Sequence, residues 1–246
     1  DKRFNSTGVC IPSMHYMVNI DNKLNKIKEL IDRRDYFVIN RPRQYGKTTT
    51  MFMLEQRLKD EYLVISISFE GIGDEVFLKE ESFSNVFIEL MADNLEFINE
   101  NESKRLLSIA TDVKNLRDLS KVITKFIKES KKEVVLFIDE VDKSSNNQLF
   151  LSFLGMLRNK YLLRQQGKDR TFSSVILAGV YDIKNLKLKF RNDDEKKYNS
   201  PWNIAVNFDI DMSFNSLEIS SMLREYSSDK NVNMDIEYIS ELLYEY

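Results

Sequence analysis

The run Arg41-Pro42-Arg43-Gln44-Tyr45-Gly46-Lys47-Thr48-Thr49 carries the residue types that hold a nucleoside polyphosphate. Gly46 lets backbone N–H groups approach phosphate oxygens, and the N-terminus of a following helix adds partial positive charge. Lys47 supplies a mobile cation for the β- and γ-phosphates, and Thr48 supplies a hydroxyl for Mg²⁺. The spacing follows GxxxxGK[ST], the Walker A pattern, except that Arg41 stands at the first glycine position. Pro42 gives a physical reason. A residue before proline is pushed toward extended geometry, so a strand continues through Arg41 and the loop begins at Pro42. The plain alternative is a Gly-Lys-Thr turn opening an ordinary helix. Residues 42–49 are the candidate phosphate-binding set, and Lys47 is also a candidate catalytic residue.

A second feature lies downstream, where Val134-Val135-Leu136-Phe137-Ile138 leads into Asp139-Glu140-Val141-Asp142. Carboxylates at the end of a buried strand are costly unless paired, solvated or metal-bound. At that position Asp139 can hold Mg²⁺ and Glu140 can polarise the water that attacks a γ-phosphate. A solvated Asp-Glu turn is the plain reading, but the loop and the acids fit one nucleoside-triphosphatase site. A Glu directly after the metal Asp marks the additional-strand group of P-loop ATPases, which insert a strand between those carrying the two motifs. Tyr62–Phe69 is expected to supply it. Guanine recognition finds no support, because the nearest approach to Asn-Lys-x-Asp, Asn159-Lys160-Tyr161-Leu162, lacks the Asp.

These residues need strands and helices to position them. Leu24, Ile27, Leu30 and Ile31 share one face of a helix over about 21–34. Tyr36–Asn40 reads as a buried strand, and Thr48–Lys59 as a helix with Met51, Leu54 and Leu58 on one face. Tyr62–Phe69, rich in β-branched and aromatic residues, is a strand. Helices are expected at about 82–99, 116–129 and 146–163, and strands at Val134–Ile138, Val175–Val180 and Ile204–Ile210. Strands alternating with helices predict an α/β fold, a five-stranded and mainly parallel sheet sandwiched by helices. Residues 1–210 would form the core, with residues 1–35 as an N-terminal segment and helix. Residues 211–246 would begin a small helical lid that is cut short, so a longer protein is expected.

Composition narrows the class. The chain has 246 residues, 42% hydrophobic and 30% charged, with 7 Gly, 3 Pro and 1 Cys. That suits a globular α/β chain and excludes collagen-like and low-complexity sequences. Cys10 alone can form no internal disulfide, and with His15 as the one histidine most metal-binding arrangements are excluded. No apolar run approaches the ~20 residues of a membrane span, and the N-terminus has no secretory pattern. A cytoplasmic, reducing compartment is expected. The 36 Lys and Arg against 39 Asp and Glu give a net charge of −3. Nucleic acid is therefore a possible partner without support from charge. Lys184, Lys187, Lys189, Arg191, Lys196 and Lys197 cluster, but Asp193, Asp194 and Glu195 interrupt them, as in a solvated loop.

The loop Arg-Pro-Arg-Gln-Tyr-Gly-Lys-Thr resembles the Arg-Pro-Arg-[Arg/Gln]-[Phe/Tyr/Met]-Gly-Lys-[Ser/Thr] loop of the bacterial AAA-ATPase-like family, in which Arg41 is ordinary. His15-Tyr16-Met17-Val18-Asn19-Ile20 is similar to that family's opening segment. Leu177-Ala178-Gly179-Val180 and Asn203-Ile204-Ala205-Val206 resemble its later strands. The likeness covers most of residues 3–230. It implies an ATP-binding P-loop core related to AAA+ and STAND ATPases, using ATP and Mg²⁺. Relatives of this kind often carry a C-terminal PD-(D/E)xK nuclease-like domain, and none is visible in these residues. The specificity for ATP rests on this resemblance and on the missing guanine motif.

The reading is a Mg²⁺-dependent ATPase whose hydrolysis switches a protein partner or a missing C-terminal domain. A nucleotide switch with little turnover and an oligomeric motor on DNA or protein stay open. A small-molecule kinase is disfavoured by the Asp139-Glu140 pair. Weaker candidates are Tyr181 or Asp182 as a γ-phosphate sensor, Arg158 or Arg164 as a finger for a neighbouring subunit, and Arg224 as a lid contact. Glu70 is a candidate restraint on Glu140. His15 and Tyr16 either flank adenine or form a packed pair, and Trp202 is expected to be packing.

Overall fold

The computed structural model describes residues 1–5, 8–40, 47–139, 141, 147–179 and 212–245. In chain order the elements are α1 (Asp21–Asp32), β1 (Phe37–Asn40), α2 (Lys47–Leu58), β2 (Tyr62–Ser68), a 3₁₀ turn (Asp74–Leu78), α3 (Glu80–Ile98) and α4 (Glu100–Ile109). Then come α5 (Leu116–Glu129), β3 (Glu133–Asp139), α6 (Gln148–Gln165), β4 (Ser174–Gly179), α7 (Ser216–Lys230) and α8 (Ile236–Glu245). The chain divides into two compact units. One contains Asp1–Glu29, Arg41–Leu58 and Ile210–Tyr246; the other contains Leu30–Asn40 and Lys59–Asp209.

The second unit holds the sheet. Its described strands are four, all parallel, in the order β1-β4-β3-β2. Parallel neighbours need long crossovers, and helices α3–α5 and α6 supply them between β2, β3 and β4. Every residue of β4 is buried, as is β3 from Val134 to Ile138. Both are continuous apolar runs, the composition of strands covered on two faces. β2 alternates more, with Tyr62, Ser66 and Ser68 only partly covered. The expected α/β fold is found, with four of the expected strands; the fifth, Ile204–Ile210, lies outside the described residues.

One expectation is corrected. Tyr62–Phe69 is not the strand that stands between the two motif-bearing strands. β2 pairs with the far side of β3, and β4 takes the place between β1 and β3, with Phe37 opposite Ile176 and Ile138 opposite Leu177. SVILAG, buried throughout, suits a central strand, and β2 keeps partly covered Ser66 and Ser68, but both runs are apolar and pairing across long sequence separations sets their order. β2 is inserted in the chain, β4 in the sheet.

Below the sheet edge, Phe69, Phe77, Phe83, Phe87, Phe150 and Phe153 pack ring against ring. The centroid of Phe153 lies 5.1 Å from that of Phe83 and 4.8 Å from that of Phe87. This cluster joins β2, the 3₁₀ turn, α3 and α6 into one core, at ring spacings that favour edge and offset contacts. α4 occupies a stretch between the expected helices at about 82–99 and 116–129, for which the sequence reading predicts no element. Its start was readable: Asn99 accepts from the Glu102 N–H at 3.4 Å, and Asn followed by Glu three residues on is a helix-start signature.

The opposite end of the sheet is closed by Arg164. Its guanidinium donates to the carbonyls of Phe172 (2.6 Å), Ser173 (2.7 Å) and Arg34 (2.8 Å) and lies 4.9 Å from the Tyr161 ring centroid. Those bonds give Arg164 a structural post at the start of β4, in place of the finger role considered from sequence. Beside it Tyr36 is fully buried and donates its hydroxyl proton to the Phe172 carbonyl at 3.2 Å. Burial pushes the Tyr36 phenol up to about 12 from 10.0. The folded state thus holds this proton more tightly than the unfolded chain does. Its contribution, about 2–3 kcal/mol, is full below pH 10 and is lost between about pH 10 and 12. Urea titrations at pH 9 and 11.5 should show this slope in the wild type, and Tyr36→Phe should flatten it.

Candidate functional site

The phosphate-loop motif enters the structure at Lys47, the first residue of α2. Pro42, Arg43, Gln44, Tyr45 and Gly46 lie outside the described residues, as do Glu140, Tyr181, Asp182 and Trp202. Lys47 and Thr48 form the first turn of α2, where backbone N–H groups have no partner inside the helix. Thr49 and Thr50 are buried. The Thr49 hydroxyl oxygen accepts a hydrogen bond from the Cys10 N–H at 2.9 Å. Sequence reasoning placed Thr49 with the phosphate ligands and gave no hint of this long-range bond.

Cys10 belongs to an N-terminal segment with its own internal order. The Ile11 N–H donates to Nδ1 of His15 at 2.9 Å, so His15, which is buried, acts as a turn acceptor. Arg3 and His15 form a single bridge. Tyr16 packs its ring among Phe4 and Tyr226, with centroids 5.1 and 5.3 Å away, and its hydroxyl donates to the Asp229 carboxylate. His15 and Tyr16 are both buried, each with partners of its own in this unit.

The same unit brings α7 to this segment. Lys23 is buried and donates to the Ser213 carbonyl at 2.6 Å and to the Glu218 carboxylate at 2.7 Å. Glu218 also accepts from the Asn215 N–H at 3.0 Å, while the Asn215 side chain accepts from the Glu218 N–H at 2.8 Å. This reciprocal cap fixes the start of α7. The Asn19 N–H donates to the Ser221 hydroxyl at 3.2 Å, and Lys2 pairs with Glu225. Arg224 is exposed on α7. α2 is tied to α1 through Arg57 and Asp21.

In the sheet-bearing unit, Asp139 ends β3, partly exposed and directly opposite Ser68 of β2. Val141, two residues on, is fully buried. Because all four strands run the same way, Asn40, Ser68, Asp139 and Gly179 end at one edge. In open α/β sheets that carboxyl edge is where ligands bind. Asn40, from which the phosphate-loop motif departs, and Asp139 are separated there by β4 alone. Glu70 is exposed just beyond Ser68, and its N–H donates to the Ser68 hydroxyl at 3.1 Å.

Comparison with known families decides what this arrangement belongs to. The pattern that defines the AAA-like domain family matches residues 6–243. The chain belongs to the AAA-like domain family. Among curated proteins, none matches it. As an AAA-like domain it falls in a nucleotide-binding class of ATPase type. The match spans both compact units of this AAA-like domain, from the N-terminal segment through α7 and into α8. No helix among the described residues is long and apolar enough to cross a membrane.

Proposed function

We propose that this AAA-like domain binds ATP with Mg²⁺ and hydrolyses its β–γ phosphoanhydride, and that the cycle changes how a partner or a C-terminal domain is held. The observation that carries the reading is the sheet order, in which the strand leading to Lys47 and the strand ending in Asp139 run parallel with one strand between them. Residues 42–46 and the first N–H groups of α2 would wrap the phosphates, and the α2 terminus favours negative charge. The Lys47 ammonium would hold the β- and γ-oxygens.

The donor chemistry fits Mg²⁺, which favours hard oxygen ligands and keeps several waters. Asp139 offers a partly exposed carboxylate at the carboxyl edge, and Thr48 offers a hydroxyl. When bound, the ion would offset the charge that builds on the phosphate oxygens. Glu140 would orient the attacking water and accept its proton as the oxygen–phosphorus bond forms, and the phosphoanhydride breaks to leave ADP and inorganic phosphate. Coupling finds support within the α2-bearing unit, where Thr49 bonds the N-terminal segment and that segment bonds α7 through Tyr16 and Asp229.

Phosphate release from ATP with Mg²⁺ tests the reading. Lys47→Ala removes one charge-assisted contact of about 1.5–3 kcal/mol, so ATP affinity should fall roughly tenfold to a hundredfold, and release should fall with it. ATP binding by neither protein would overturn the proposal.

A further inference from the structure

The net charge of −3 hides a separation of charge among the helices of the sheet-bearing unit. α3 contains no Lys or Arg and exposes Glu81, Glu89, Asp93 and Glu96. α5 is mostly basic: Arg117, Lys121, Lys125 and Lys128 are all exposed, against Asp118 and an exposed Glu129. At 3.6 residues per turn these cations fall within roughly 80° of arc and span about 16 Å of axis. The opposite face, Leu116, Leu119, Val122, Ile123 and Phe126, is buried in the core, so the stripe is held outward by a packed helix. Exposed Lys131 and Lys132 continue it.

Little neutralises this stripe. Lys121 reaches Asp118 at 3.4 Å, and Glu129 on the flank is engaged by Arg105 at 3.5 Å. Among the described residues Arg117, Lys125 and Lys128 have no ion-pair partner. A shallow groove runs along the helix beside Ser120, Lys121, Thr124, Lys125, Lys128 and Glu129. Its Ser120 and Thr124 oxygens are already committed inward, to Lys160 and, for Thr124, to Asp169. What it offers is therefore three lysines beside one carboxylate, Glu129, which Arg105 engages from the flank. No aromatic side chain in the stripe could stack on bases, and no Asn or Gln stands ready to read their edges.

We propose that the outer face of α5 docks the phosphodiester backbone of duplex nucleic acid, without sequence readout. A regular row of unpaired cations on a rigid helix suits a regular row of phosphates, and each neutralised phosphate releases condensed counterions. On the neighbouring α3 the exposed charges Glu81, Glu89, Asp93 and Glu96 are all acidic, which disfavours phosphate contact there. The proposal is independent of the ATPase reading, and its test needs no nucleotide.

The test is fluorescence anisotropy of a labelled 20-base-pair duplex of arbitrary sequence, titrated with the full chain at several salt concentrations. With about four phosphates engaged, the log–log salt slope should be about −3 to −4, so affinity should fall about a hundredfold between 50 and 200 mM salt. Lys121→Glu/Lys125→Glu/Lys128→Glu should lose at least about tenfold at 50 mM and flatten the slope toward −1, with an unchanged circular dichroism spectrum. Lys26→Glu/Lys104→Glu/Lys168→Glu changes net charge equally at exposed sites elsewhere and should bind as the wild type does. Arg in place of the same three α5 lysines should retain binding. Equal losses in the two Glu triples, no binding by the wild type at 50 mM salt, or tighter binding to phosphatidylserine vesicles than to the duplex would each overturn the proposal.

Discussion

Glu140→Gln is expected to lower ATP turnover by about 10²–10⁴-fold while ATP binding persists. The amide keeps the size of the carboxylate and can still orient water, but it cannot accept the water's proton. Asp139 at the end of β3 and the residues of α2 are unchanged, so ground-state contacts to the phosphates stay. The loss therefore falls on kcat, with KM little altered, as for an interaction made only in the transition state. Phosphate release and equilibrium ATP binding on the two proteins measure this split. Turnover equal to wild type would remove Glu140 from the chemistry. A parallel loss of ATP affinity would make it a ligand rather than a base.

Asp169→Ala should cost about 3–5 kcal/mol of stability, because it strands a buried ammonium. Lys160 is 1% exposed and donates to Asp169 at 2.8 Å, Thr124 at 2.6 Å and the Ser120 carbonyl at 3.1 Å. Asp169 also accepts from the Thr124 hydroxyl at 2.8 Å. The network joins α5, α6 and the turn before β4. Burial already holds the Lys160 ammonium below its ordinary pKa although Asp169 favours the charged form. Without Asp169 that depression deepens, so the unfolded chain binds the proton more tightly than the folded one. Stability of Asp169→Ala should accordingly recover as pH rises toward 10.5. Lys160→Met/Asp169→Leu, which removes both charges and keeps volume, should unfold within about 2 kcal/mol of wild type. Urea midpoints for the three proteins decide the matter, and a cost under about 1 kcal/mol for Asp169→Ala would refute the account.

What could be read from sequence was local. The strands β1–β4 announced themselves as apolar runs bounded by polar turns, and α1, α2, α3, α5 and α6 by apolar residues at helical spacing. The phosphate-loop and acidic motifs were legible because their chemistry requires particular residue types close together in the chain. Lateral strand order was not legible. Val175–Gly179 and Tyr62–Ser68 are both apolar enough to be buried, and only pairing across long sequence separations decides which lies beside β1. The Thr49–Cys10 and Tyr16–Asp229 bonds escaped for a related reason, since Thr, Tyr and Asp are common and carry no signal of a distant partner. The basic stripe of α5 went unread in the sequence, because Arg117, Lys121, Lys125 and Lys128 stand out as one face only once the burial of the opposite face is known.

The place of β4 also governs when this domain can become whole. Among the described strands β1 pairs only with β4, and β4 is the last of the four to leave the ribosome. A nascent chain that has reached Glu140 already holds both candidate nucleotide motifs, yet β1 still lacks its neighbour. Such contacts between distant segments form slowly and leave strand edges bare in the interval. Chains halted before Ser174 should therefore be aggregation-prone and unable to retain ATP, although every residue assigned to the chemistry has been made.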